Sequence, residues 1–314
     1  MSKNLKCLIV DEMHESVVGL LKEINVIPVY KPDISREEII EQIVDFEILF
    51  IRSKTKVDRS LLAKASKLKI VGRAGAGIDN LDEVYLADKG IQIINAPEGN
   101  KDAVGEQTIA MLLSLMHNVV KSHLEVTRGK WDREGNRGVE LSGKIVGIIG
   151  YGNMGKAVAQ RLSSFGCTVL AYDKYLIDYQ DQYCQAVSLQ TIFNSADILS
   201  LHVPLIDETY GWVDDDFFNK FKKPIYFLNL SRGEIVVLPS LVNAIKCNEV
   251  KAAALDVLQN EKLNTLNKEQ QECFDFLSSS SNVILTPHIG GWSHESYFKI
   301  NQVLINKLYQ LINT

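Results

Sequence analysis

A chain of 314 residues has room for two domains of ordinary size. With 46% hydrophobic and 23% charged residues, each can bury a core, which excludes a disordered chain. A net charge of −5 does not suit a nucleic-acid binder, and no apolar run in the sequence reaches the length of a membrane span, so neither partner is expected.

The five cysteines, Cys7, Cys167, Cys184, Cys247 and Cys273, are scattered and form no C-x-x-C pair. They predict reduced thiols in a cytoplasm, with neither a disulfide framework nor a zinc site. The apolar run Leu5–Val10 is too short for a signal peptide and reads as a first strand.

Residues 1 to about 99 alternate strand-like and helix-like segments. Strands are predicted at 7–10, 26–30, 48–51, 69–72 and 91–94, and helices at 14–23, 36–44 and 59–67. That alternation means βαβ units and a parallel sheet. Two loops stand at strand ends, where open α/β sheets bind ligands: Arg52-Ser53-Lys54-Thr55, and Arg73 to Asp79 with its glycines. The Gly75–Gly77 loop either exposes backbone N–H groups to a carboxylate or is an ordinary βα turn.

Asn95 to Asn100 is a turn cluster and the first boundary. Asp102 then caps a long helix running to about Lys121, whose apolar face is core. His117 and His123 lie six residues apart, on different faces of that helix, which does not suit metal ligation.

The run Lys144–Ile149 is rich in β-branched residues and leads into Gly150, Gly152 and Gly155 in the spacing G-x-G-x-x-G, with a helix after it. A tight turn, a close backbone approach and close helix packing are the three uses of such glycines. The helix N-terminus behind them suits the pyrophosphate of a dinucleotide. A second strand, 168–172, ends at Asp173, 18 residues past Gly155, where an acidic residue would accept hydrogen bonds from the adenosine ribose. Further strands are predicted at 198–201, 225–229, 251–256 and 283–285, with helices at 188–195, 239–248, 268–277 and 294–311.

Three polar residues follow these strands: Arg232, Glu261 and His288. Singly they read as a turn residue, a surface charge and a core histidine. Together, at one sheet edge beside a dinucleotide motif, they form a set suited to hydride transfer at a keto acid. An Arg would anchor the carboxylate and polarise the carbonyl, a His would exchange the hydroxyl proton, and a carboxylate near the His would favour its protonated form.

At this point the chain resembles the D-isomer-specific 2-hydroxyacid dehydrogenases over nearly its full length. The resemblance rests on VGRAGAGIDNLD (71–82), NAPEGN (95–100), GIIGYGNMG (147–155), HVPL (202–205), NLSRGEIV (229–236), AALDV (253–257) and TPHIGG (286–291). It implies an NAD-dependent enzyme of the α/β class, with two Rossmann-like doubly wound domains and a cleft between them. Residues 1–99 plus 289–314 would form a flavodoxin-like substrate-binding domain, and residues 100–288 the NAD-binding domain. The catalytic set implied is Arg232, Glu261 and His288, with His288 the proton donor in reduction.

The resemblance further places Gly150, Gly152, Asn153, Met154, Gly155, Asp173, His202, Pro204, Leu230, Ser231, Asp256, Gly290 and Gly291 at the cofactor. It places Arg52, Ser53, Ala76, Gly77, Asn100 and Arg232 at the substrate. A homodimer through the cofactor domains is implied, at the helix after Asp102 and the excursion around Trp131.

Several features modify this picture. The usual proline after the glutamate is Lys262, and Glu272 is a rival for its role. The polar stretch 264–281 is expected to reshape the cleft rim. Lys174 beside Asp173 leaves NADP only partly excluded. With 26 residues after His288, a C-terminal regulatory domain is not expected. Within the family the chain is most similar, through RSKTKV, VGRAGAGIDN and NAPEGN, to the branch acting on 3-phosphoglycerate; Arg52, Lys54 and Arg73 read either as charge for a phosphate or as ordinary surface charge. The alternatives are a glyoxylate or hydroxypyruvate reductase and, from another class, an NAD-sensing co-regulator without turnover.

Overall fold

The computed structural model describes residues 5–313. In chain order the elements are β1 (Lys6–Ile9), α1 (Ser16–Glu23), β2 (Ile27–Tyr30), α2 (Arg36–Gln42), β3 (Ile48–Ile51), β4 (Ile70–Arg73), α3 (Glu83–Asp88) and β5 (Gln92–Asn95). There follow α4 (Pro97–Met116), α5 (Val119–Thr127), β6 (Ile145–Ile149), α6 (Asn153–Leu162), β7 (Thr168–Tyr172), β8 (Gln185–Ala186), α7 (Leu189–Ser195) and β9 (Ile198–Leu201). The chain continues through α8 (Asp215–Phe218), β10 (Ile225–Asn229), α9 (Leu238–Lys246), β11 (Val250–Leu255), α10 (Lys268–Ser279), β12 (Val283–Leu285) and α11 (His294–Asn313). The chain divides into two units, one of Met1–Lys101 with Trp292–Thr314 and the other of Asp102–Gly291.

The first unit is a five-stranded sheet of order β2-β1-β3-β4-β5, parallel throughout, a doubly wound arrangement. Helices cover both faces, so strands such as β3 (ILFI) are buried at every position and read as unbroken apolar runs. Helix α11 returns to this sheet and buries Ile300, Leu304, Ile305 and Leu308 with Val17 and Leu21 of α1. Gly99 is required here, because a Cβ on it would stand 2.6 Å from the Ile300 backbone.

The second unit has seven parallel strands in the order β12-β11-β10-β9-β6-β7-β8. The order reverses at β6, the strand that carries the glycine turn, and that switch point is where such sheets take their ligands.

Two predicted elements differ in the structure. Residues 59–67 form successive turns and no helix: Ala65 N–H bonds the Leu62 carbonyl and Ser66 N–H the Lys64 carbonyl. Only Leu61 and Leu62 of this lysine-rich stretch are buried, so no continuous apolar face supports a helix. The helix expected from Asp102 begins instead at Pro97, whose fixed φ suits a first helical position, and absorbs most of the NAPEGN turn. It ends at Met116; Asn118 turns left-handed (φ 54°) and α5 starts afresh, leaving His117 in the break. The helix expected at 268–277 is present as α10, which has a capping box at Asn267 and Gln270 and buries Cys273 and Leu277.

Buried acids fix the loops at the sheet edges. Asp11 is 1% exposed and accepts from Arg52 N–H (2.6 Å), Thr55 N–H (3.2 Å) and Thr55 Oγ1 (2.5 Å). From the other side Asn80 Nδ2 donates to the carbonyls of Arg52 and Thr55. Asp11→Ala would leave two backbone N–H groups unpaired in a dry site. It should cost about 3 kcal/mol, read as a lowered urea midpoint with an unchanged m-value.

Candidate active site

In the second unit, Gly150 sits at φ 91°, and a Cβ there would stand 2.5 Å from the His202 carbonyl oxygen. A Cβ on Gly155 would strike the Gly150 carbonyl, whereas the space around Gly152 is open. Gly152 is the N-cap of α6 with no side-chain cap, so Asn153, Met154 and Gly155 stand at a bare helix N-terminus. This cradle suits an anion such as a pyrophosphate.

Asp173 follows β7. Its Oδ2 accepts from Tyr151 N–H (2.8 Å), inside the glycine turn, and its Oδ1 from Tyr175 and Leu176 N–H (2.9 and 3.0 Å). Tyr179 lies beneath, taking Asp173 N–H and donating to the Ala171 carbonyl. A carboxylate oriented by three N–H groups retains lone pairs for ribose hydroxyls. The residues present therefore fit a dinucleotide.

His202 and Pro204 follow β9. His202 Nε2 lies 2.8 Å from the buried Ser200 hydroxyl, and burial pushes its pKa down to about 4.

Strands β10, β11 and β12 are neighbours and deliver the remaining residues to the same carboxyl edge. Asn229, 1% exposed, shapes the first loop: its Nδ2 donates to the Arg232 carbonyl and its Oδ1 accepts from Ser231 N–H and Oγ. Leu230 is buried under this loop, and Arg232 Nη1 donates to the Ser231 carbonyl (2.8 Å).

Asp256, 2% exposed, shapes the last loop by accepting from Thr286 Oγ1 (2.5 Å), Ile289 N–H (2.9 Å) and Gly290 N–H (2.7 Å). Its carbonyl takes His288 N–H at 2.7 Å. His288 is thereby held left-handed (φ 56°), a conformation costing a β-carbon residue about 1–3 kcal/mol. His288 Nδ1 meets Glu261 Oε1 at 2.8 Å, with the side chains 43% and 48% exposed, so the pair is structured yet open to proton exchange. Glu272, the rival, faces Lys268 on α10.

In the first unit the Arg52 guanidinium lies over the Trp292 ring (4.1 Å to the centroid) and the Tyr297 ring (4.7 Å). The two rings are stacked 5.9 Å apart at 29°. His14 packs edge-on against Tyr297 from behind. Arg52 has no hydrogen bond or ion pair from its guanidinium among the described residues, and it faces a cavity of about 650 Å³ that Ser53 also lines. Burial lowers its pKa, but an arginine stays charged at neutral pH.

The other two expected cations are engaged. Lys54 Nζ donates to the Pro32 carbonyl (2.9 Å), and Arg73 folds back on its own loop, Nη1 to the Ala74 carbonyl. Asn95 Nδ2 holds the Ala76 carbonyl beside Gly77, and the buried Oδ1 of Asn100 has no hydrogen-bond partner among the described residues. Sequence reasoning missed Asp11, Trp292 and Tyr297. Nothing local marks them, since their roles arise from contacts made across the fold.

Glycine-cradled helix and acidic strand end together define a dinucleotide-binding α/β unit. Residues 109–290 match the family described as "D-isomer specific 2-hydroxyacid dehydrogenase, NAD binding domain". The chain belongs to this family, and NAD is the cofactor of the matched domain.

The chain is 33% identical over 309 residues to D-3-phosphoglycerate dehydrogenase of Archaeoglobus fulgidus, covering 98% of this chain and 57% of that one. It thus spans little more than half the length of that relative. It is 31% identical to hydroxypyruvate reductase of Thermotoga maritima, covering 96% of each. Among solved structures, a glyoxylate reductase from Paecilomyes thermophila superposes with a TM-score of 0.87 at 22% identity, over 100% of this chain and 97% of that one, a likeness of fold.

The depressed pKa of His202 makes stability pH-dependent. The folded state keeps this ring neutral to about 4, while the unfolded chain takes up the proton near 6.5. The contribution is full above 6.5 and is lost as pH falls toward 4, about 3 kcal/mol in all. His202→Gln should flatten the unfolding free energy between those pH values; an unchanged slope would assign it to other groups.

Proposed function

We propose that this protein is an NAD-dependent oxidoreductase acting on D-2-hydroxy acids and their 2-keto partners, through Arg232, Glu261 and His288. The observation that carries this reading is the His288–Glu261 hydrogen bond of 2.8 Å, at the same sheet edge as Arg232. Arg232 binds the substrate carboxylate with its planar fork and polarises the adjoining carbonyl. Glu261 accepts Nδ1–H of His288, fixing the tautomer and ring orientation, so that Nε2 exchanges the proton with the hydroxyl oxygen. In oxidation His288 takes that proton and in reduction it gives it back. Bound NAD supplies the hydride acceptor, or as NADH the hydride donor. The glycine turn, Asn153 and Met154 hold the pyrophosphate and Asp173 the ribose. His202, Pro204, Leu230, Ser231, Asp256, Gly290 and Gly291 form the rest of the cofactor wall.

For the substrate, 3-phosphoglycerate is the leading candidate. The unspent N–H edges of Arg52, pre-oriented by two aromatic rings, suit a second anionic group. The Ala76–Gly77 backbone, Ser53 and Asn100 complete the substrate surface of the first unit. A second reading, hydroxypyruvate or glyoxylate, is favoured by the engagement of Lys54 and Arg73 and by Glu12 and Asp33 in the Arg52 cavity. Both readings predict a cytoplasmic enzyme.

A homodimer through the second unit is also proposed. None of the α5 residues is buried, and Val119, Val120, Leu124, Val126 and Trp131 are exposed, Trp131 at 82%. Sedimentation should show a dimer, and Leu124→Asp with Val120→Asp should shift it to monomer.

His288→Asn should lower kcat by about 10²–10⁴-fold while NAD still binds, measured by absorbance at the NADH band and by calorimetry. Retained turnover would refute the assignment. Binding of NAD with no turnover on any of a panel of D-hydroxy and keto acids would instead favour an NAD-sensing protein. Arg52→Ala should cost turnover of 3-phosphoglycerate far more than that of glyoxylate; equal losses would favour the unphosphorylated substrate.

A further inference from the structure

The loops after β7 and β9 flank the glycine turn of β6, because the local strand order is β9-β6-β7. They are tied together across it. Lys174 Nζ pairs with Glu208 Oε2, and the Tyr175 hydroxyl donates to the same oxygen at 3.2 Å. Both ends of the tie are fixed. The Asp173 carboxylate holds the N–H groups of Tyr175 and Leu176. Thr209 Oγ1 donates to the Pro204 carbonyl (2.7 Å) and accepts Ile206 N–H (2.9 Å), which pins the turn carrying Glu208.

Lys174 is the cation adjoining Asp173 in sequence. The nearby Lys156 pairs with Asp181 (3.0 Å). NADP differs from NAD by a phosphate on the adenosine ribose, and its charge needs a cation where NAD needs only an acceptor for a hydroxyl.

We propose that Glu208 is a cofactor-specificity residue, which captures Lys174 and so withholds from NADP the cation that would otherwise neutralise its extra phosphate. Asp173 selects for NAD by accepting the ribose hydroxyls; Glu208 selects against NADP by occupying the neighbouring cation. The proposal rests on the reading of Asp173 as the ribose acceptor. The pair is exposed on both sides, 55% and 57%, so its strength is modest and falls with salt.

The test is calorimetric titration of NAD+ and NADP+ into the full chain at low ionic strength. Glu208→Gln, which keeps the side-chain length and a partner for Tyr175, should tighten NADP+ about three- to tenfold and leave NAD+ within about twofold. Adding Lys174→Ala should abolish the gain. The proposal is overturned if Glu208→Gln leaves NADP+ affinity unchanged, tightens both dinucleotides alike, or keeps its gain in the double variant. Asp173→Ala should weaken NAD+. If it does not, the ribose reading falls and this proposal with it; if it does and the Glu208 result is negative, only the proposal falls. NAD+ binding by the Glu208 variant reports that it is folded.

Discussion

A parallel strand cannot hand its chain directly to its neighbour; each must be followed by a crossover that starts at the strand's carboxyl end. Among the described residues all ten strand pairings in the two sheets are parallel. The residues just past β6, β7, β9, β10, β11 and β12 are therefore delivered to one edge of the second sheet. Gly150, Asp173, His202, Arg232, Glu261 and His288 follow those six strands in turn. Their convergence is a consequence of topology rather than of any local attraction among them.

Topology alone leaves these loops loose, and a small set of buried polar side chains sets their shape. Asp11, Asn229 and Asp256 each lie just past a strand or at its last residue, are 1–2% exposed, and spend their hydrogen-bonding capacity on the backbone of a following or neighbouring loop. Their full satisfaction is what makes them tolerable in a dry core. Asp11 aims the Arg52 loop, Asn229 the Arg232 loop, and Asp256 the His288 loop. The side chains of His288 and Glu261 are half-exposed, and the supports are buried. Exchange of a proton with substrate needs access, while holding a histidine at φ 56° needs rigidity.

The sequence carried most of this where the signal was local. Apolar runs marked β3, β6, β7, β9 and β10, because strands buried on both faces have no polar alternation to blur. The glycines of the turn after β6 were legible from their spacing; Gly150 and Gly155 answer steric demands that no other residue meets, while Gly152 leaves the space before α6 open. Strand ends pointed to Arg232, Glu261 and His288, and their geometry joins Glu261, not Glu272, to His288. The failures were non-local. Residues 59–67 have helix-like composition but only two buried side chains. The NAPEGN stretch reads as a turn, yet Pro97 opens a helix. The helix expected at 268–277 is present, but which of its residues are buried, Cys273 and Leu277, spaced four apart, was not read from its polar composition. Trp292 and Tyr297 acquire meaning only when α11 returns to the first sheet and sets them against Arg52.

The same contrast separates the cations. A lysine or arginine in a sequence is charge, but a structure shows whether that charge is still available. Lys54 is turned to a carbonyl, Arg73 to its own loop, Lys156 to Asp181 and Lys174 to Glu208. Arg52 is held differently. Aromatic faces attract a guanidinium through its plane and leave the N–H edges unspent. An arginine gripped by a carboxylate would have to break that pair before meeting a ligand, whereas one stacked on rings is already desolvated on its faces and oriented at its edges. Binding an anion there costs less reorganisation than at any of the paired cations, and that difference is why the substrate question turns on Arg52 and not on the number of basic residues around it.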